Sequence, residues 1–430
     1  MRFKYLGADV PLPRLIRVRQ RLEVPRVESV EQALRRELER VGREGLVAPG
    51  ERIAIAVGSR GMASLPALVT TVIEQVRAWG GRPNLVPAMG SHGGGTAEGQ
   101  MALLASLGIT PEKMGAPVDP SMEVEEIGQD GDGHPVYFSR AALSADGIIV
   151  LNRVKVHTDY HGDFESGVIK MLVIGLGKRR GAETIHKRGI RGLRDGIPAA
   201  ARVILARAPV RLAIATIENA CEDVACVRAI LPCDLFEEEK GLLNECRTLL
   251  PRLPFAYADV LVVDEVGKEI SGTGMDPNVI GRLMITGEKE FERPFIRRIV
   301  ALDLTEPSHG NCTGLGLADF ITERLYRKID LTAFYVNTLT GAMVERGKIP
   351  MIMPTDEEAI KAAARTSWDV APGRERIARV RNTLMIQELE VSETLLPDIL
   401  SAGGSGGHIE VVGDWHDFHF DAEGRLLPIA

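Results

Sequence analysis

The sequence predicts an α/β protein of two domains, each with a largely parallel sheet flanked by helices. Short apolar strands recur along the chain, and each is followed by a glycine-containing turn and a segment with apolar residues at helical spacing. This alternation is typical of parallel strands covered by helices on both faces. The rhythm restarts after residues 251–254, and 430 residues exceed what one hydrophobic core usually serves. We therefore predict domains at residues 1–253 and 254–430.

Individual elements follow from the same patterns. In the first domain, the strands are predicted at residues 52–57, 84–87, 147–151 and 211–217, with a helix at 65–79. In the second domain, the strands are predicted at residues 260–264, 299–302 and 332–336, with helices at 315–326, 356–365 and 374–380. A last strand is predicted at residues 409–412, and we expect about 20 final residues to pack against the first domain.

Composition and charge narrow the class of protein. The formal net charge is −7, and the charged residues are interspersed, so nucleic acid is not an expected partner. The chain lacks an N-terminal apolar segment typical of a signal peptide and any run of roughly 18 apolar residues that would span a membrane. The five cysteines form no CxxC pair, which favours reduced thiols in a cytoplasm. The sequence leaves the oligomeric state open, a homo-oligomer included.

Three polar side chains follow predicted strands of the first domain by a few residues. They are Arg60, His92 and His157. Because ligands of open α/β sheets bind at the carboxyl ends of the strands, we expect these side chains to converge on one edge of one sheet. Histidine suits acid/base chemistry, and the guanidinium of Arg60 matches a carboxylate or phosphate. The alternatives are structural histidines and a surface ion pair.

The segment around Lys170 carries the densest group of chemically capable residues. Lys170 lies in an otherwise apolar stretch, so burial would favour its uncharged, nucleophilic amine. The alternative is a helix lysine whose ammonium reaches water. Gly175 and Gly177 predict a phosphate-binding turn, with a plain turn as the alternative. His186 is a candidate metal ligand, although no second histidine follows it at helical spacing.

The Lys170 segment resembles the lactate racemase family of nickel-pincer nucleotide enzymes, in particular homologues of unassigned substrate. In that family a lysine is followed 16 residues later by a histidine, as Lys170 is followed by His186 here. The resemblance implies that Lys170 covalently holds the nickel-pincer nucleotide, a pyridinium-3,5-bisthiocarboxylic acid mononucleotide. It also implies that His186 is the protein's nickel ligand, with the cofactor supplying the others.

The resemblance extends to further positions. It implies that His92 and His157 are acid/base catalysts on opposite faces of the substrate, with His161 competing for the second role. It also implies that Arg60 and Lys268 bind the substrate. The chain departs from the family's prototype at Val57, where that protein has an acidic residue. It also departs at Gly167, which is followed by Val168 and Ile169, whereas the prototype has a paired glycine before its cofactor lysine. These departures bear on the identity of the substrate.

The implied activity is that of an isomerase, a racemase or epimerase. It would invert the 2-carbon of a small-molecule 2-hydroxy acid by hydride transfer to the cofactor and back. The active site would lie in the cleft between the two domains, where water is excluded. The alternative is an α/β protein that binds a nucleotide or sugar phosphate without nickel, because the glycine turns support it equally well.

Overall fold

The computed structural model describes residues 10–22, 24–42, 44–59, 62–401 and 409–429. These residues form two compact units. The N-terminal unit is Val24–Leu250, and the C-terminal unit combines residues 10–22 with the described residues that follow position 250. Both units have mixed α/β architecture with mostly parallel sheets, as the sequence predicts.

The strands fall into two large sheets and one hairpin. In chain order they are β1 (Leu15–Gln20), β2 (Arg52–Val57), β3 (Arg82–Pro87), β4 (Val124–Gln129), β5 (Pro135–Ser139), β6 (Gly147–Arg153), β7 (Val210–Glu218), β8 (Val224–Ile230), β9 (Tyr257–Val266), β10 (Phe295–Leu304), β11 (Phe320–Thr322), β12 (Met351–Met353), β13 (Ile377–Val380), β14 (Glu388–Ser392) and β15 (Ile409–His416).

The helices range from single turns to four turns. They are α1 (Val30–Val41), α2 (Leu65–Ala78), α3 (Ala97–Ser106), α4 (Pro111–Met114), α5 (Arg140–Leu143), α6 (Val168–Lys170), α7 (Lys178–His186), α8 (Gly189–Arg191), α9 (Ile197–Arg207), α10 (Leu235–Leu249), α11 (Pro277–Ile280), α12 (Glu323–Arg327), α13 (Leu331–Gly341), α14 (Asp356–Arg365) and α15 (Leu396–Ser401). Two π-helical turns occur at Met171–Gly175 and Gly192–Gly196.

The N-terminal unit is built on a sheet with strand order β3-β2-β6-β7-β8. The first four strands are parallel, and β8 is antiparallel to β7. Alternate residues of β2 enter opposite cores: Ile53 and Ile55 pack with α2, whereas Ala54 and Ala56 face the core that contains α9. Burial on both faces explains why this strand is a continuous apolar run rather than an alternating one.

The C-terminal unit is built on a larger sheet with strand order β12-β11-β10-β9-β13-β14-β1-β15. The first five strands in this order are parallel to one another. The three remaining pairs, β13 with β14, β14 with β1 and β1 with β15, are antiparallel. Helix α14 covers one face through Ala359, Ile360 and Ala363. Its bounds coincide with the predicted helix at residues 356–365.

The position of β1 changes the domain division expected from the sequence. Leu15 pairs with Ser392 of β14 on one side and with His416 of β15 on the other. The strand nearest the N-terminus therefore belongs to the C-terminal unit, so assigning all of residues 1–253 to the first domain is wrong. The last strand, β15, pairs with β1, and packing of the final residues against the first domain stays a prediction.

Three elements of the C-terminal unit differ from the prediction. Residues 332–336 are helical in α13, because the carboxylate of Asp330 accepts the N–H groups of Thr332 and Ala333 and caps a helix there. Residues 374–380 contain strand β13, whose four residues are all buried between β9 and β14. Residues 315–326 are divided among a 3-10 turn, strand β11 and helix α12. A short, fully buried apolar run has no periodicity to distinguish strand from helix.

None of the described helices combines the length and the apolar character that crossing a bilayer requires. The five cysteines are unpaired thiols, of which Cys226, Cys246 and Cys312 are buried.

Candidate active site

Three loops of the N-terminal unit leave the same edge of its sheet. They follow the carboxyl ends of β2, β3 and β6, which are adjacent and parallel. The first loop begins at Gly58 and Ser59, the second carries His92, and the third carries His157. The convergence expected for the two histidines is thus confirmed at the level of the sheet edge, whereas Arg60 lies outside the described residues.

Lys170 is in direct contact with His157. Its Nζ lies 2.8 Å from Nε2 of that ring. The backbone N–H of Asp159 donates to Nδ1 of the same ring at 3.1 Å. A neutral imidazole has one N–H and one lone pair. Because Nδ1 accepts, Nε2 carries the hydrogen and donates to Nζ, which fits an unprotonated lysine amine.

The loop that bears His157 is organised around the buried carboxylate of Glu165. This carboxylate accepts a hydrogen bond from the backbone N–H of His157 at 2.6 Å and another from a guanidinium N–H of Arg247 at 2.8 Å. Nδ1 of His161 lies 3.3 Å from the same carboxylate. Desolvation raises the pKa of Glu165, but these donors outweigh it, and the net shift is downward. A fixed negative charge therefore holds the loop, and His161 is engaged with Glu165.

The helical segment that carries Lys170 is held at its start. It begins at α6 and continues through the π-helical turn Met171–Gly175. Nδ2 of Asn152, near the end of β6, donates to the carbonyl of Gly167 at 2.7 Å. The carboxylate of Glu239 accepts the N–H of Ile169 at 3.0 Å. These contacts tie Lys170 to the sheet edge and to α10.

The ring of His186 is held by a backbone carbonyl. Its Nδ1–H donates to the carbonyl of Ala182 at 2.6 Å, which leaves the lone pair on Nε2. Ligating histidines usually bond their second nitrogen in this way. Desolvation lowers the pKa of the ring more than the bond to Ala182 raises it, so the neutral form is favoured.

Among the described residues, no group of three or more histidine, cysteine, aspartate or glutamate side chains is arranged to hold a metal ion.

His92 is exposed on the loop after β3. Its Nδ1 lies 2.5 Å from Oγ of Ser59, and the buried amide of Gln100 donates to the carbonyl of Gly90 at 3.0 Å. The N–H of Gly90 donates to the carbonyl of Gly175 at 3.2 Å. The loop with His92 is thereby attached to the helical segment with Lys170.

The three glycines after His92 form a left-handed turn. The φ angles of Gly93, Gly94 and Gly95 are 64°, 67° and 66°. A Cβ at Gly93 would lie 2.5 Å from the backbone of Gly99, whereas a Cβ at Gly94 would have open space. Glycine is required here because other residues rarely adopt this backbone conformation.

Gly175 and Gly177 are closely packed against neighbouring residues. Both are buried, and a Cβ at Gly175 would lie 2.5 Å from Sδ of Met171, while one at Gly177 would lie 2.2 Å from the carbonyl oxygen of Val173. Packing requires glycine at both positions, and the phosphate-binding turn expected here stays a prediction. Their contact with a cofactor stays a prediction.

Lys178 follows these glycines and is fully buried. Its φ is 53°, and its Nζ donates to the carbonyl of Pro87 at 2.6 Å. Desolvation lowers its pKa to about 8. This bond joins the end of β3 to the start of α7.

Lys268 belongs to the C-terminal unit. Its Nζ donates to the carbonyl of Gly272 at 2.7 Å and to Oδ1 of Asn337 at 2.8 Å. The side chain is therefore held in one orientation, and its predicted contact with a substrate stays a prediction.

Several contributors to this site were missed in the sequence. Ser59 follows a strand directly, as His92 and His157 nearly do, so the strand-end argument would have included it. Glu165 lies four residues after His161, a spacing that permits the observed pair. Glu239 is 70 residues from its partner Ile169, and no local pattern marks it.

Comparisons with known proteins were made for the whole chain. Residues 5–195 match the family model described as the lactate racemase N-terminal domain. The solved structure of the lactate racemase apoprotein from Thermoanaerobacterium thermosaccharolyticum is similar at 13% identity, covering 86% of this chain and 94% of that chain, with a TM-score of 0.48. No curated protein matches the sequence.

Proposed function

We propose, from the match of residues 5–195 to the family model described as the lactate racemase N-terminal domain, that the protein is a racemase or epimerase of 2-hydroxy acids. The observation that carries the proposal is the contact between Nζ of Lys170 and Nε2 of His157 at 2.8 Å. It joins a lysine amine with an acid/base group at one sheet edge.

The residues present fit a lysine-tethered nickel-pincer nucleotide. An unprotonated amine at Lys170 is the form that attacks a carboxyl-type carbon. His186 offers a neutral Nε2 lone pair, because its Nδ1–H is committed to Ala182. When bound, such a cofactor supplies the hydride acceptor for the 2-carbon. The remaining chemistry belongs to the side chains of the chain itself.

His157 and His92 are the proposed acid/base pair. To act as a base at Nε2, the neutral ring of His157 must carry its hydrogen on Nδ1, and uptake of the substrate hydroxyl proton then leaves both ring nitrogens protonated. Oδ2 of Asp159 lies 3.8 Å from Nδ1 of this ring, close enough to stabilise that positive charge. For His92, Oγ of Ser59 contacts Nδ1, so Nε2 is the nitrogen proposed to face substrate. Arg60 and Lys268 are proposed to bind the carboxylate.

The test uses protein produced with the cofactor loaded. Intact mass, bound nickel and loss of optical activity of a 2-hydroxy acid are measured for the wild type, for Lys170→Ala and for Lys187→Ala. Lys187 is an exposed lysine in the same segment and serves as the control. We expect the mass adduct and racemisation to disappear with Lys170→Ala and to persist with Lys187→Ala.

Full retention of the adduct and of racemisation in Lys170→Ala would overturn the proposal. Absence of any adduct in the wild type, together with binding of a nucleotide or sugar phosphate, would favour the alternative without nickel. A panel of 2-hydroxy acids that differ in chain length and 3-substituent then separates a racemase of short acids from an epimerase of longer ones.

A further inference from the structure

The carboxylate of Glu239 contacts the start of the lysine segment, which is α6 with Lys170 at its end, although Glu239 belongs to a helix that is distant in sequence. It lies on α10 and is 2% exposed. Its Oε2 accepts the N–H of Ile169 at 3.0 Å, and the N–H of Val168 also donates to this carboxylate. Both donors belong to the first turn of α6, directly before Lys170. The carboxylate therefore fills the role of a helix cap supplied by another element.

The backbone at Gly167 is shaped around this carboxylate. A Cβ at that position would lie 2.3 Å from Oε1 of Glu239. The φ of Gly167 is −177°, which any residue adopts, so it is space rather than backbone strain that requires glycine. On the other side, Nδ2 of Asn152 donates to its carbonyl at 2.7 Å. Gly167 is thus fixed between α10 and the end of β6.

Burial of Glu239 has a measurable cost. Desolvation raises the pKa of its carboxyl to about 7, although the two backbone N–H groups lower it. An apolar residue would avoid this cost and could fill the same core, which also contains Leu242 and Leu243 of α10. The contact with the lysine segment is what a carboxylate provides and an apolar side chain does not.

We propose that Glu239 is a positioning residue that holds the amine of Lys170 against His157. By fixing the first turn of α6, the carboxylate sets the direction of the Lys170 side chain one residue later. The inference rests on the proposed role of Lys170, and it is tested without cofactor or substrate. Failure of the cofactor assignment would appear in mass and nickel content, whereas failure of this inference appears in the amine reactivity of the unloaded protein.

The experiment measures acetylation by dilute acetic anhydride at pH 7, a reagent that attacks unprotonated amines. The rate at Lys170 is divided by the rate at exposed Lys187 in the same molecule, from peptide masses. We expect Glu239→Leu to lower this ratio about tenfold, because Lys170 leaves the His157 contact. Glu239→Gln keeps one carbonyl acceptor, so it should retain about half of the wild-type ratio.

The matched control is Leu243→Ala, one turn further along α10 and 1% exposed. It removes buried volume without removing the carboxylate, so its acetylation ratio should equal the wild-type value despite lower thermal stability. If Glu239→Leu does not fold, Glu239→Gln alone is informative, with an expected decrease of about twofold. A wild-type ratio in the folded Glu239 variants, or an equal decrease in Leu243→Ala, would refute the proposal.

Discussion

Nε2 of His157 and Nζ of Lys170 lie 2.8 Å apart, and the backbone N–H of Asp159 occupies the other ring nitrogen. The hydrogen-bond pattern therefore assigns the ring hydrogen to Nε2 and the lone pair to the lysine. The two side chains, 13 positions apart in sequence, are in direct contact. The protonation state of His157 therefore affects the nucleophilicity of the Lys170 amine.

Replacing His157 should make Lys170 less reactive in the unloaded protein. In His157→Asn the imidazole N–H that donates to Nζ is lost, so we expect acetylation of Lys170 at pH 7 to slow about tenfold relative to Lys187. His161→Asn is the control, because Nδ1 of His161 contacts Glu165 at 3.3 Å. An equal effect of both substitutions would contradict the assignment of His157 as the contact residue.

Replacing His186 should separate metal binding from cofactor attachment. In His186→Ala, loss of the proposed protein ligand should lower retained nickel by at least about tenfold. The covalent adduct on Lys170 should remain, because the lysine and its contacts are unchanged. Nickel by elemental analysis and the adduct by intact mass are measured on one sample. Unchanged nickel content would exclude His186 as the ligand.

Lys178 should make stability depend on alkaline pH. Burial lowers its pKa to about 8, below the ordinary 10.5, so between these values the unfolded chain binds a proton that the folded chain has released. The free energy of unfolding should therefore rise from pH 8 to 10.5 by about 3 kcal/mol relative to Lys178→Met. Urea unfolding at several pH values checks this. A pH-independent difference between the two proteins would contradict it.

The left-handed turn after His92 offers a comparison within three residues. Gly94→Ala should cost about 1 to 2 kcal/mol, because a Cβ there meets no atom and only the backbone conformation is strained. Gly93→Ala should cost about 3 kcal/mol or more, because its Cβ would lie 2.5 Å from Gly99. Thermal or denaturant unfolding measures both. Equal costs would mean that the loop moves away without penalty.

The parts of this site that the sequence predicted share one property, which is a local signal. Continuous apolar runs in the sequence predicted β2 and β6. Adjacent parallel strands place their carboxyl ends at the same edge of the sheet, independently of the detailed packing. The histidines beyond those ends were therefore placed correctly at the sheet edge. Lys170 stood out because it is a lysine among apolar residues.

The parts that were missed or misread depend on tertiary packing. Gly175 lies close to Met171 and Gly177 lies close to Val173, and the local sequence carries no signal for these packing contacts. Glu239 caps a helix 70 residues away, and sequence spacing carries no information about that pair. Strand β13 is short and buried on both sides, so neither helical nor alternating periodicity is present.

The location of β1 has a consequence for the biosynthesis of this protein. Leu15 is translated well before its partners Ser392 and His416. The unit Val24–Leu250 can fold during this interval. The backbone groups of β1 that pair with β14 and β15 stay exposed until those strands have been synthesised. Removal of Leu15–Gln20 should therefore impair the sheet of the C-terminal unit. An expression fragment starting at residue 251 would lack an interior strand.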